Sequence, residues 1–296
     1  MKVVILAGGL GTRLSEFTKT IPKPMIKING KPLIFHIMKW YSKYGFKDFY
    51  IALGYKGYVI KKYFEKKKFG WNIKLIDTGR NSMTGGRIKR LKKFLNNETF
   101  MLTYGDGLSN INLKKLYNFH LRNKKLVTVT AVRPPARFGH LKIKKNVVSY
   151  FKEKSHTDEG WINGGFFVIN SQFLDYIKND KTILEKDPLE KVCKKKKLAA
   201  FKHYGFWQCV DTKRDLDRLK KILKYFLKKN ILIFGGTGFI GFHLSLQCLK
   251  KKWNVTSVSS REPAVSKRLK KVKYITCNIG SINNIKKKIP KRNIDY

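Results

Sequence analysis

Short apolar runs alternate with stretches whose apolar positions recur every three or four residues along most of this chain. The runs 3–6, 49–53, 72–76, 100–104 and 127–132 read as strands. Between them the spacing predicts helices over 32–44, 87–95 and 113–121. The first of these places Leu33, Ile37 and Tyr41 on one face and has Gly45 as its stop. Such alternation predicts an α/β fold with a mostly parallel, Rossmann-like mixed sheet, because parallel neighbours need a crossover and a helix usually supplies it. Past His140 the pattern becomes hairpin-like. Short strands at 141–143, 147–151 and 165–169 predict a lid region added to the main sheet. Helices follow at 173–177 and 189–195. An amphipathic one over 213–228, with Leu216, Leu219, Leu223 and Phe226 at helical spacing, is expected to close a first domain of residues 1–228.

The pattern then starts again. The apolar run 231–234 leads into Gly235-Gly-Thr-Gly238-Phe-Ile-Gly241 and a helical stretch, with further strands at 254–258 and 272–276. Strand, G-x-x-G-x-x-G turn and helix together are how a dinucleotide pyrophosphate is held at a helix N-terminus. Residues 229–296 therefore read as a second, truncated Rossmann unit with a possible NAD(P) loop at Gly235, Gly238 and Gly241. Ser259-Ser-Arg261 stands where an acidic residue would favour NAD, which argues against an NAD preference and leaves NADP open.

Composition changes the picture only in what it excludes. The 296 residues are 42% hydrophobic, enough for a substantial core, but 65 Lys+Arg against 19 Asp+Glu give a formal charge of +46. A charge of that size suggests nucleic acid or an anionic membrane. The lysines, however, are scattered in short clusters such as 66–68, 194–197 and 286–288, not gathered in one stripe with aromatics, so they read as solvated faces. No nucleic-acid or membrane partner is expected. Cys193, Cys209, Cys248 and Cys277 form no C-x-x-C pair and no secretory leader precedes them, which predicts reduced thiols in the cytoplasm. The apolar stretch 231–246 is too short and glycine-rich to span a bilayer. The six histidines fit no metal-binding spacing.

Chemistry concentrates behind the first strand, in Leu6-Ala-Gly-Gly-Leu-Gly-Thr-Arg13 and the following Pro22-Lys-Pro24. Gly8, Gly9 and Gly11 permit a tight turn that brings backbone N–H groups against phosphate oxygens, with Leu6, Ala7 and Thr12 beside them. Arg13 can grip two phosphate oxygens and Lys23 acts as a mobile point charge, a pairing suited to a polyphosphate leaving group. The spacing is neither a Walker loop nor G-x-G-x-x-G. Asp106, between Gly105 and Gly107 after an apolar strand, and Asp211, after the run 206–210, are candidate metal ligands. Asp211 reads equally as the cap of the helix that follows. Ser82, Thr84, Gly86 and Arg87 form either a base-reading loop or a helix cap; their spacing fits both.

G-G-x-G-T-R-L followed by P-K-P resembles the signature of the sugar-1-phosphate nucleotidyltransferases, over residues 1–228. Ser15-Glu16, His36-Ile-Met-Lys39, Gly54-Tyr-Lys-Gly-Tyr-Val-Ile60, Ser82-Met-Thr-Gly-Gly-Arg87, Thr103-Tyr-Gly-Asp-Gly107, Asn163-Gly-Gly-Phe-Phe-Val168 and Phe206-Trp-Gln-Cys-Val-Asp211 recur in family order and resemble the cytidylyl branch. Glu16 stands where other branches commonly have proline. The resemblance implies Mg²⁺-dependent transfer from CTP to glucose 1-phosphate. Arg13 and Lys23 would be catalytic, Asp106 and Asp211 would hold the metal, and Ser82, Thr84, Gly86, Arg87 and Gly105 would lie on the nucleotide. It further implies that Gly139, Glu153, Lys154 and Asn163 contact the sugar phosphate, and that the enzyme is a homo-oligomer. The second unit resembles the N-terminus of the nucleotide-sugar epimerases and dehydratases, whose Tyr-x-x-x-Lys catalytic pair has no equivalent within residues 229–296.

Overall fold

The computed structural model describes residues 1–65, 69–95, 97–134, 140–144, 147–152, 160–226, 230–251 and 253–289. It divides into two compact units, Met1–Leu219 and Lys220–Tyr296.

The first unit is built on seven strands: β1 (Lys2–Leu6), β2 (Asp48–Leu53), β3 (Asn72–Asp77), β4 (Thr99–Tyr104), β5 (Val127–Val132), β6 (Ile162–Asn170) and β7 (Leu198–His203). Their order across the sheet is β7-β5-β6-β4-β1-β2-β3. β6 pairs antiparallel with both neighbours and every other pairing is parallel. Sheets of this kind are covered on both faces, which is why β1 and β4 are near-continuous apolar runs rather than alternating ones. Leu102, Phe100, Phe167, Ile169, Ile88 and Leu91 meet in one fully buried cluster. Each such side chain contributes roughly 1.5–3 kcal/mol of transfer free energy.

Expectation and structure part at identifiable places. The strand at 165–169 runs instead from Ile162 to Asn170 and lies inside the main sheet, between β4 and β5, not in a lid. The helix expected over 87–95 starts earlier, at Thr84, and breaks at the buried Leu91 into Thr84–Arg90 and Lys92–Leu95. The stretch at 173–177 is a 3-10 helix over Ser171–Tyr176. β7, the helix Gly57–Glu65 and a small ribbon of Gly107–Ser109 with Trp207–Cys209 have no counterpart in the expected elements.

The second unit carries β8 (Asn230–Phe234), β9 (Asn254–Ser259) and β10 (Val272–Thr276), parallel and in that order, with helices Phe239–Lys250 and Ile282–Lys288. Its core is small, with Ile233, Cys248 and Val255 in one cluster and Val258, Cys277 and Ile289 in another. Among the described residues, no helix is long and apolar enough to cross a membrane.

Candidate active site

In the first unit β1 and β4 lie side by side with Leu6 opposite Tyr104, so the loops leaving their carboxyl ends are neighbours. The Gly105 N–H donates to the Leu6 carbonyl (2.9 Å), which seats Asp106 beside the glycine loop. The ribbon then brings in the second aspartate. Cys209 pairs with Gly107, and the Val210 N–H donates to the Asp106 carbonyl (2.9 Å), so two carboxylates 105 positions apart become adjacent.

Whether Asp211 caps the following helix is decided by its neighbours. Thr212 Oγ1 accepts from the Asp215 N–H (3.2 Å), while Asp215 Oδ2 accepts from the Thr212 N–H (3.0 Å). This is a reciprocal capping box, with aspartate in the third helical position. Thr212 and Asp215 therefore cap Lys213–Phe226, and the side chain of Asp211 is left for the site.

Lys23 lies between the aspartates. Its Nζ donates to Asp106 Oδ2 at 2.8 Å and to Asp211 Oδ1 at 2.7 Å, while Arg13 Nη1 donates to Asp211 Oδ2 at 2.9 Å. Burial by itself would lower the Lys23 pKa, but the two carboxylates outweigh it and leave the ammonium above the ordinary lysine value. For Asp211, burial works upward and is outweighed by Lys23 and then Arg13, which hold the carboxyl below its ordinary value. Cys209 is pushed up to about 12, first by burial and then by Asp211 and Asp106, so it remains a thiol beside the carboxylates.

Two cavities meet here. One of about 350 Å³ is lined by Leu6 to Gly9, Gly11 to Leu14, Lys23, Ser82 to Thr84 and Arg87; the other, of about 790 Å³, by Asn163, Gly164, Trp207, Gln208, Arg214 and their neighbours. Tyr104, Asp106 and Asp211 line both.

The expected base-reading group is redistributed. Arg87 is only 4% exposed. Its Nη1 donates to the Leu53 and Gly79 carbonyls and to Thr78 Oγ1 (3.0, 2.7 and 2.9 Å), and its Nη2 to the Gly8 and Arg80 carbonyls (2.9 and 3.1 Å). With those donors engaged, Arg87 holds the backbone of the glycine loop while lining the smaller cavity. The Gly86 N–H goes to the Thr182 carbonyl (3.2 Å), and the Thr84 hydroxyl goes to Glu185 Oε2 (2.8 Å). Ser82 alone of the four makes no side-chain hydrogen bond among the described residues while lining the nucleotide-sized cavity.

The glycines also differ in purpose. A Cβ at Gly8 would lie 2.2 Å from Arg87 Nη1, so Gly8 makes room for the guanidinium, whereas a Cβ on Gly9 would meet nothing within 4 Å and its backbone faces open space. Gly11 has φ +66°, in the left-handed region that glycine occupies without strain.

Asn163 lines the larger cavity and accepts from the Gly165 N–H (2.8 Å). Gly139, Glu153 and Lys154 lie outside the described residues. Two participants were missed by sequence reasoning. Tyr104 donates its hydroxyl to Glu185 Oε1, and burial followed by the Glu185 charge pushes its pKa far up. The Gly85-Gly86 pair was a signal only that a neighbouring segment packs closely on their helix, since a Cβ on Gly86 would come 2.3 Å from the Asp180 carbonyl oxygen.

Residues 2–224 match the family model described as nucleotidyl transferase. Glucose-1-phosphate cytidylyltransferase of Salmonella typhimurium is 48% identical over 238 residues, 73% of this chain and 93% of that protein. This chain belongs to the nucleotidyl transferase family. A Bacillus subtilis relative, named as a probable glucose-1-phosphate cytidylyltransferase, is 42% identical over 75% of this chain and 96% of its own length. Among solved structures, HddC from Yersinia pseudotuberculosis in complex with GMP-PN superposes with TM-score 0.61 at 27% identity, covering 75% of this chain and 99% of that one. The inositol-1-phosphate CTP transferase from T. maritima shares the fold, with TM-score 0.59 at 17% identity, over 75% of this chain and 94% of that one. Residues 231–296 match a different model, the NAD dependent epimerase/dehydratase family.

Proposed function

We propose that this nucleotidyl transferase moves the cytidylyl group of CTP to α-D-glucose 1-phosphate, giving CDP-glucose and pyrophosphate. The observation that carries the reading is the junction at Asp106 and Asp211, where a glycine-loop cavity and a larger cavity share a wall. CTP occupies the smaller cavity, its phosphates along Gly8, Gly9, Gly11 and Thr12, with Ser82 at the base and Leu6, Ala7 and Gly105 beneath. Glucose 1-phosphate occupies the larger one with Asn163 on the sugar; the resemblance adds Gly139, Glu153 and Lys154. A phosphate oxygen of the sugar attacks the α-phosphorus in line, and the bond to the β-phosphate breaks. Arg13 neutralises the departing pyrophosphate and Lys23 holds phosphate oxygens, so the chemistry is positioning and charge stabilisation without a protein nucleophile.

The donor set suits magnesium, which takes one or two carboxylates together with phosphate oxygens and water. Asp106 and Asp211 already converge on one cation, Lys23 Nζ. Among the described residues no group of three or more His, Cys, Asp or Glu is placed to hold a metal, so the remaining ligands are the substrate's oxygens and water. When bound there, magnesium polarises the α-phosphate and offsets the charge of the two substrates.

Pyrophosphate release with glucose 1-phosphate, Mg²⁺ and each of CTP, UTP, dTTP and ATP tests the reading, with Asp106→Ala as control. Release with CTP alone, abolished in the control, supports it; release with another nucleotide overturns the base assignment. We further propose that the reaction runs in the cytoplasm and that the enzyme is a homo-oligomer, the latter checked by light scattering. For residues 229–296 we propose a separate dinucleotide-binding unit using Gly235, Gly238 and Gly241, with Arg261 placed to favour NADP. Titrating the full chain with NADPH and NADH tests it: tighter NADPH binding is expected, and binding of neither overturns it.

A further inference from the structure

We propose that Lys23 is an internal counter-cation that keeps a lone divalent metal off Asp106 and Asp211 and yields only to a metal arriving with a nucleoside triphosphate. This rests on the assignment of the two aspartates as the metal pair.

Three of the four carboxylate oxygens are engaged by the two cations. Lys23 Nζ lies 2.8 and 2.7 Å from one oxygen of each carboxylate, and Arg13 takes the second oxygen of Asp211. The four side chains carry two positive and two negative formal charges, so the cluster is neutral as it stands. Magnesium sits about 2.0–2.1 Å from its oxygen ligands, and an ammonium cannot occupy the same place between the same two oxygens. A metal that bridges the two carboxylates through these oxygens therefore requires Lys23 to move. Its backbone is set in the 3-10 turn Lys23–Met25, followed directly by the buried Pro24 and Met25, so only the side chain is available for the movement.

A metal alone would displace a side chain only 12% exposed and raise the cluster's formal charge to +2, with the Lys23 ammonium deprived of its two carboxylates and the Arg13 charge close by. A triphosphate reverses that penalty, because its oxygens accept the displaced ammonium and the guanidinium while contributing further ligands to the metal. Metal and nucleotide should accordingly bind with positive coupling, equal in both directions by linkage, and Lys23 should carry much of it.

The test is Mn²⁺ binding to the full chain, read from the electron paramagnetic resonance signal of free Mn²⁺, first without nucleotide and then with CTP. Without nucleotide, Lys23→Met should bind Mn²⁺ at least about tenfold more tightly than the wild type, and CTP should strengthen Mn²⁺ binding more in the wild type than in the variant. Lys23→Gln, uncharged but still carrying an N–H donor, is measured alongside so that a folding loss in the methionine variant does not decide the matter. A melting scan adds a second readout: Mn²⁺ alone should raise the melting temperature of the variants and not of the wild type. Equal Mn²⁺ affinity in wild type and variants without nucleotide overturns the proposal, as does wild-type binding equally tight with and without CTP. Asp106→Asn placed in the Lys23→Met background separates the two readings. If the gained binding survives it, the metal-pair assignment itself is wrong. The nucleotide-free comparison does not depend on base choice, and repeating the second arm with UTP, dTTP and ATP covers an error there.

Discussion

Both units open with strand, glycine loop and helix, yet the same local device ends in different places. In the first unit Gly8 admits the Arg87 guanidinium, Gly9 faces open space, and the neighbouring strand end delivers Asp106. In the second, Gly236 and Gly241 are there for close packing, while a Cβ on Gly235 would meet nothing within 4 Å. A Cβ at Gly241 would come 2.3 Å from the Gly235 carbonyl oxygen, and one at Gly236 would come 2.3 Å from Ser257 Oγ. β1 lies inside a seven-strand sheet with partners on both edges, whereas β8 ends a three-strand one. The helix after β8 leaves Phe239 and Ile240 about four-fifths exposed, at 82% and 80%. A glycine loop thus marks where a phosphate can be approached, but what the sheet sets opposite decides whether chemistry follows.

Removing the opposing charge should have the largest effect. Asp106→Asn should lower kcat for pyrophosphate release by about a thousandfold, the scale of losing a preorganised electrostatic contact. Gly241→Ala in the second unit should leave that rate unchanged; an equal loss in both would break the contrast drawn between the loops.

Next come the cores. Leu102→Ala, at a fully buried position in β4, should destabilise the first unit by roughly 2–5 kcal/mol, while Ile240→Ala should stay within about 0.5 kcal/mol. Hydrogen exchange read peptide by peptide separates the units, and comparable costs would show that Ile240 is covered in solution.

Within the first loop, Gly8→Ala forces a Cβ onto Arg87 and should cost about 1–3 kcal/mol. Gly9→Ala should cost less than about 0.5 kcal/mol and act on CTP affinity instead. Urea midpoints and KM for CTP give the two readouts.

The smallest effect is that of pH. Burial holds His36, His120 and His203 of the first unit below the ordinary histidine value, partly countered by hydrogen bonds to Ile28, Asn170 and Phe206. Depressed pKa values mean the unfolded chain binds protons more readily. This stability is therefore complete above about pH 6.5 and is lost as pH falls through the folded-state values. Protection factors in the peptides holding these residues, taken relative to the intrinsic exchange rate at each pH, should fall between pH 7 and 5. Unchanged protection would show that their burial carries no linkage.

Much of the frame was legible because strong periodicity leaves few alternatives. β5 and β10 occupy the expected residues, and the helix Leu33–Lys43 falls within the expected one. The misses have local causes. The ribbon strands are three residues each, too short for a period to register. β6 contains Gly164-Gly165, which masked its first half as a turn.

The sequence by itself determined the α/β class, the two glycine loops and the residue types of a phosphate-handling site, since these depend on local spacing, backbone freedom and charge. Tertiary structure alone decided which of those residues act together. Asp211 could have been a helix cap until Thr212 and Asp215 took that place. Arg87 could have been a solvated surface cation until burial committed its donors to the Leu53, Gly79, Arg80 and Gly8 carbonyls. Lys23, Asp106 and Asp211 are far apart along the chain and meet only because β1, β4 and the ribbon converge. A hydrogen bond or a coordinated ion depends on distances of about 3 Å or less, and sequence separation carries no information about those until the strands have paired.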